Sequence, residues 1–156
     1  LSHSKTEMEV IKELASNDKA YRSLTESWFK NSPLFEIIQQ AQQLGFKLIL
    51  TTDHGTINVK NPSKVIGDRD TSLNLRYKTG RSLTYEDKEV LAVKDPKSVH
   101  LPSITMSSSF IFAKSDLFFA YPNNYNHYVS YYRNTYQHGG VSLEEIIIPF
   151  VVLNPR

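Results

Sequence analysis

Apolar residues recur at helical spacing through the first third of the chain and then give way to short, dense runs. Met8, Ile11 and Leu14 stand three apart, which predicts a short helix over residues 6–15. Tyr21, Leu24 and Trp28 continue a helical pattern, with Trp28 read as a packing residue. That helix should stop near Asn31, because Pro33 disfavours helix at the residue before it. Ser32, Pro33 and Glu36 then supply an N-cap, a first-position proline and a first-turn acid. The stripe of this helix is Leu34, Ile37, Ile38, Ala41 and Leu44, and Gly45 stops it. Residues 46–52 follow at once as a short apolar run that reads as a buried strand. A helix running straight into such a strand is half of a βαβ unit. The expected fold class is therefore α/β, with a mostly parallel sheet flanked by helices.

Beyond this point the pattern is more broken. Residues 61–72, with Asn61, Pro62, Gly67 and Asp68, read as a loop. A strand is expected over 73–77, a short helix over 84–93, and a hairpin made of 110–114 and 117–121 around Ser115-Asp116. Asn123 or Asn124 can cap a helix reaching Arg133, with Tyr125, Tyr128, Val129 and Tyr132 on one side. Aromatics at that spacing read as core before they read as a base-stacking platform. Ser142 and Glu145 form an S-x-x-E capping box, which predicts one helical turn and then a buried strand over 146–152.

Composition narrows the chemistry. A chain of 156 residues can bury the core of one domain, and a net charge of +2 leaves room only for a local basic site. With no cysteine, disulfides and thiolate metal sites are excluded, and any zinc must use nitrogen and oxygen ligands. A cytoplasmic setting fits that composition. No apolar run approaches the roughly 20 residues that cross a bilayer, so membrane insertion is not expected.

Two polar clusters adjoin expected strands. Asp53, His54 and Gly55 follow the apolar run Leu48-Ile49-Leu50, and His138-Gly139-Gly140 precedes the capping box. Taken alone, Asp53-His54 reads first as a turn former beside a half-buried histidine, and second as a carboxylate–imidazole pair suited to zinc. Paired glycines likewise mark a tight turn. His3 has no meaning by itself, and His100 and His127 lack partners at ligand spacing. Lys60, Lys64 and Arg69 form a basic group just after Asp53-His54, and Lys60 and Arg69 are the candidate phosphate contacts. The competing reading is a solvated loop with Arg69 paired to Asp68 or Asp70. Arg76, Lys78 and Arg81 around Tyr77 form a second basic group that would suit a nucleotide, or else a wet strand face.

In order, "LSHS", "TTDHGT" and "QHGGVSLEE" resemble the C-terminal half of the metal-binding core of the alkaline phosphatase superfamily. The likeness covers essentially the whole chain. It is closest to the PglZ-type domain of PorX-like response regulators. The resemblance implies an α/β/α sandwich of which residues 1–156 are the C-terminal portion, with the N-terminal half and a receiver domain lying elsewhere in the parent protein. It implies two divalent metals per complete domain, zinc or also manganese. Asp53 and His54 would ligate one of them, and His138 and His3 the other. The family's Thr or Ser nucleophile has no counterpart in this chain. A phosphodiesterase or phosphatase acting on nucleotides, short oligonucleotides or other phosphate esters is implied, within a two-component regulator of type IX secretion. The alternative is a metal-stapled regulatory module that contacts an identical subunit, a sigma factor or another regulator.

Overall fold

The computed structural model describes residues 18–68, 70–103, 105 and 107–155. The helix expected over 6–15 lies outside them. The described residues fall into two compact units, 18–51 with 150–155, and those within 52–149.

In the first unit, α1 (Asp18–Lys30) and α2 (Pro33–Gln43) are separated by the turn that Pro33 dictates. Ser32 caps α2, its Oγ accepting from the Phe35 N–H at 3.3 Å. Gly45 ends it in the left-handed region, with φ of 82°. β1 (Leu48–Thr51) then pairs antiparallel with β9 (Phe150–Leu153), Leu48 opposite Leu153 and Thr51 opposite Phe150. The expected burial is not found. Leu34, Ile37 and Leu44 are exposed, Trp28 is 63% exposed, and most of β1 and β9 is exposed as well. Periodicity marks a face able to be covered; whether anything covers it depends on other chain segments.

The second unit holds the cores. β2 (Ile57–Val59) pairs antiparallel with β8 (Thr135–Gln137). β3 (Asn61–Lys64) pairs parallel with β7 (Leu117–Ala120). β4 (Tyr77–Gly80) and β5 (Val90–Val93) flank β6 (Ser109–Ala113), both antiparallel to it. α3 (Tyr125–Tyr132) precedes β8, and α4 (Leu143–Ile146) follows it. Alternate side chains of a strand point to opposite faces, and β7 uses both. Phe119 packs with Val65, Val90, Ile111 and Ala113, while Phe118 packs with Ile57 and Val59.

Helices and strands interleave as an α/β chain requires, but a mostly parallel sheet is not what the described residues form. Among them, only β3–β7 is parallel, and the strands fall into four small sheets. The reason is range: a short apolar run after a helix does not encode its partner, and β1 takes one that lies about a hundred residues later and runs the other way. Local expectations failed for the same reason. Strands β6 and β7 exist, but not as a hairpin; Ser115, at φ of 46°, turns the chain into a different sheet. Residues 61–64 are strand despite Pro62, which cannot donate to a ladder and is tolerated at a sheet edge. The strand expected over 73–77 starts at Tyr77 instead. Residues 84–93 give only a 3-10 turn at Asp87–Glu89 before β5, whose Val90 is drawn into the core.

Candidate functional site

The register of β2 against β8 brings the two polar clusters together. Ile57 stands opposite Gln137, so the chain just before β2 runs beside the chain just after β8. His54 and His138 consequently stack, with ring centroids 3.8 Å apart and planes 10° from parallel. Of the expected metal-site residues, Asp53, His54 and His138 are gathered in one place. His3 and Arg69 lie outside the described residues.

The tautomer of His54 follows from its surroundings. Its Nδ1 is 2.9 Å from the Gly55 carbonyl oxygen. A carbonyl can only accept, so Nδ1 carries the proton and Nε2 presents a lone pair when the ring is neutral. That is the usual outer hydrogen bond of a metal-bound histidine. Nε2 faces Asp53 Oδ1 at 3.7 Å. Asp53 is exposed, and its carboxyl is held below the usual carboxylate range, first by its own backbone N–H and then by the adjacent His54 ring. The His54 N–H donates to Asp53 Oδ1 at 3.1 Å, and the Thr52 hydroxyl stands 3.3 Å from the same oxygen.

These donors fit a divalent cation. Two ligands at zinc distances on a tetrahedral ion stand about 3.3 Å apart, and two acceptors 3.7 Å apart are a small adjustment from that. Imidazole lone pairs lie in the ring plane, so nearly parallel stacked rings direct theirs along separate planes. One ion could not take both in good geometry. Neighbouring ions at the roughly 3.5–4 Å spacing of two-metal sites could take one each. No group of three or more His, Cys, Asp or Glu side chains able to hold one ion occurs among the described residues.

A buried ionic hub holds this arrangement. Glu145 accepts from Arg76 Nε at 2.8 Å and Nη2 at 2.6 Å, a bidentate pair whose side chains are 0% and 2% exposed. The same carboxylate accepts from the Gly140 N–H at 2.8 Å, the Ser142 N–H at 3.1 Å and the Ser142 hydroxyl at 2.7 Å. Burial opposes ionisation of Glu145. The hydrogen bonds from Arg76, Ser142 and Gly140 outweigh it and hold the carboxyl down at about 2. Arg76 also donates to the carbonyls of Leu117 and Ala113. The capping box was legible in the sequence, but its carboxylate is also the anchor of the His138-Gly139-Gly140 turn.

Glycines make the close approach possible. A Cβ on Gly55 would lie 2.0 Å from the Glu144 carbonyl oxygen, while the Gly55 N–H donates to the Glu145 carbonyl at 2.9 Å. This contact presses the Asp53-His54 turn against α4.

The second basic group does not form a nucleotide-binding face. Arg76 is consumed by Glu145, and Lys78 is buried against the Tyr121 ring. Exposed Arg81 reaches Asp70 at 2.7 Å and Asp68 at 3.8 Å, so those acids have a partner in Arg81. Alternating cations on a short strand carry no sign of which face is wet. Lys60 is exposed at the opposite end of β2 from His54. His127 stacks with Tyr131, and His100 ends a 3-10 turn at φ of 60°. The tyrosine run is divided: Tyr132 packs on the Ile57–Val59–Phe118 cluster, while Tyr128 and Tyr131 are exposed.

The model of one protein family, the BREX system PglZ alkaline phosphatase-like domain, matches residues 1–153. No curated protein matches the chain.

Proposed function

Because the chain belongs to the PglZ family of alkaline phosphatase-like domains, a family that suggests phosphoesterase-type chemistry on phosphate esters, we propose that it supplies half of a two-metal phosphohydrolase site. The observation that carries this reading is the His54–His138 stack, with Asp53 Oδ1 3.7 Å from His54 Nε2. Asp53 and His54 hold one cation through a carboxylate oxygen and Nε2, and His138 with His3 holds the other. Zinc suits these nitrogen and oxygen donors, and manganese is an acceptable replacement. Such cations, when bound, polarise phosphoryl oxygens and make an attacking hydroxyl more acidic. The residues of this chain orient and retain them: the Gly55 carbonyl fixes the His54 tautomer, and Glu145 holds the turn that carries His138. Lys60 contacts phosphate on a substrate long enough to extend along β2, such as a short oligonucleotide, and Arg69 is proposed as a further phosphate contact.

In the same proposal, residues 1–156 are the C-terminal portion of the domain. The attacking Thr or Ser and a receiver domain lie in the rest of a PorX-like response regulator. That parent protein acts in the cytoplasm in control of type IX secretion. No helix among the described residues is long and apolar enough to cross a membrane.

A second reading has its own support. Leu34 and Ile37 on α2, Leu44 at its C-cap, and Phe150, Val151 and Val152 on β9 are exposed, and apolar surface of that extent suits burial by another polypeptide. In this reading the cations staple a module that binds a second copy, a sigma factor or the remainder of its own domain, without catalysis.

Calorimetric titration of the chain with Zn2+ tests the ligand assignment. The stoichiometry should fall by one cation in Asp53→Ala and in His54→Ala and be unchanged in His127→Ala. Full wild-type stoichiometry in the first two, or a fall in the third, would remove the site. If Zn2+ binds as expected, bis(4-nitrophenyl) phosphate hydrolysis by the full-length protein separates the two readings. Hydrolysis abolished by His54→Ala supports catalysis, and no hydrolysis by the wild type supports the module.

A further inference from the structure

A cavity lined by neither Asp53, His54 nor His138 lies in residues 52–149. Its volume is about 250 Å3, and Leu75, Lys78, Phe119, Tyr121, Tyr128 and Tyr132 form most of its wall. The wall is predominantly apolar and aromatic, and Lys78 is its one side chain with a formal charge at neutral pH. Lys78 is 1% exposed. Its Nζ donates to the Ser72 carbonyl at 2.8 Å and lies 4.6 Å from the centroid of the Tyr121 ring.

A buried ammonium is costly unless a counter-charge accompanies it. Arg76, two residues earlier, has Glu145. For Lys78, no carboxylate lies within ion-pair distance among the described residues, and Ser72 is its only hydrogen-bond acceptor there. An ammonium has three N–H donors. One is used by Ser72 and a second direction is occupied by the Tyr121 face, which leaves donor capacity on a group that lines a cavity. Burial also lowers the Lys78 ammonium to about 8, the direction expected of a cation held without an anion.

We propose that this cavity binds a small organic monocarboxylate with an aromatic or branched apolar body. The carboxylate pairs with Lys78, and the body lies against Phe119, Tyr128 and Tyr132. The volume is below the roughly 300–1,000 Å3 of pockets for drug-sized ligands, so the ligand is the size of a phenyl or branched-chain acid. The exposed Leu73 and Tyr128 border the opening. Tyr128 also explains why a residue of the tyrosine run is exposed although it belongs to an apolar face: it forms the rim of a binding pocket.

The test uses the whole chain, isotope-labelled, titrated with phenylacetate, with the neutral isostere phenylacetamide, and with acetate. Phenylacetate should bind saturably at a Kd on the order of 1 mM or tighter, shifting the amide signals of Phe119, Ala120 and Tyr121. Phenylacetamide and acetate should each bind at least tenfold more weakly. Lys78→Met, of similar volume, should remove the preference for acid over amide. Equal binding of acid and amide by the wild type would overturn the role of Lys78. Absence of phenylacetate binding at tens of millimolar, or shifts confined to the surroundings of His54 and His138, would overturn the pocket. None of these readouts depends on metal.

Discussion

Replacing Glu145 with Gln changes one oxygen into an amide nitrogen and removes one charge. The carboxylate accepts five hydrogen bonds, two from Arg76, one from Gly140 and two from Ser142. Either oxygen that becomes a nitrogen faces donors, and the fully buried Arg76 guanidinium loses its counter-ion. Removing one partner of a buried ion pair costs about 3–5 kcal/mol. The fall of the Glu145 carboxyl from 4.5 to about 2 gives a consistent figure of about 3 kcal/mol. Urea unfolding followed by circular dichroism should therefore show a loss of about 3 kcal/mol, and Tm should fall by roughly 10 °C. The sign with pH also follows. A depressed carboxyl contributes its full stability above about 4.5 and loses it as pH falls through about 2. The wild type should therefore lose stability across that window, and Glu145→Gln should show a flatter profile there. Arg76→Met combined with Glu145→Leu should be more stable than either single variant. A Glu145→Gln variant within about 0.5 kcal/mol of wild type, with an unchanged acid profile, would refute the hub.

Gly55→Ala should cost about 1–3 kcal/mol in urea unfolding, because its Cβ would stand 2.0 Å from a backbone oxygen that has no rotamer to move. The same substitution should weaken Zn2+ affinity in calorimetry by separating the Asp53-His54 turn from α4; an unaltered stability would show that the approach is not tight. Ile111→Ala, within the cluster of Val65, Val90, Ala113 and Phe119, should cost about 2–5 kcal/mol by the same unfolding assay.

Signals that act within a few residues were legible in the sequence. Ser32 and Pro33 placed the start of α2 and Gly45 its end, and Ser142 with Glu145 placed α4. What depended on distant partners was not. The Ser115 turn gave no hint that β6 and β7 belong to different sheets, and Arg76 looked like a surface cation because Glu145 lies 69 residues away. The site shows both limits at once. Asp53-His54 and His138 were singled out by residue type and by resemblance. Their meeting depends on the pairing of Ile57 with Gln137, which periodicity over the three residues of β8 cannot encode. Lys78 was read as part of a nucleotide-binding group or a wet strand face for a related reason: its burial comes from Tyr121 and Ser72, not from its neighbours on β4.

The central claim is that Asp53, His54 and His138 hold cations. An anomalous-scattering map at the zinc edge, from crystals of the full-length protein grown with Zn2+, tests it most directly. The account predicts one peak at about 2.0–2.2 Å from an Asp53 carboxylate oxygen and from His54 Nε2, and a second peak at a ring nitrogen of His138. Zinc bound elsewhere, with no peak at His54, would contradict it.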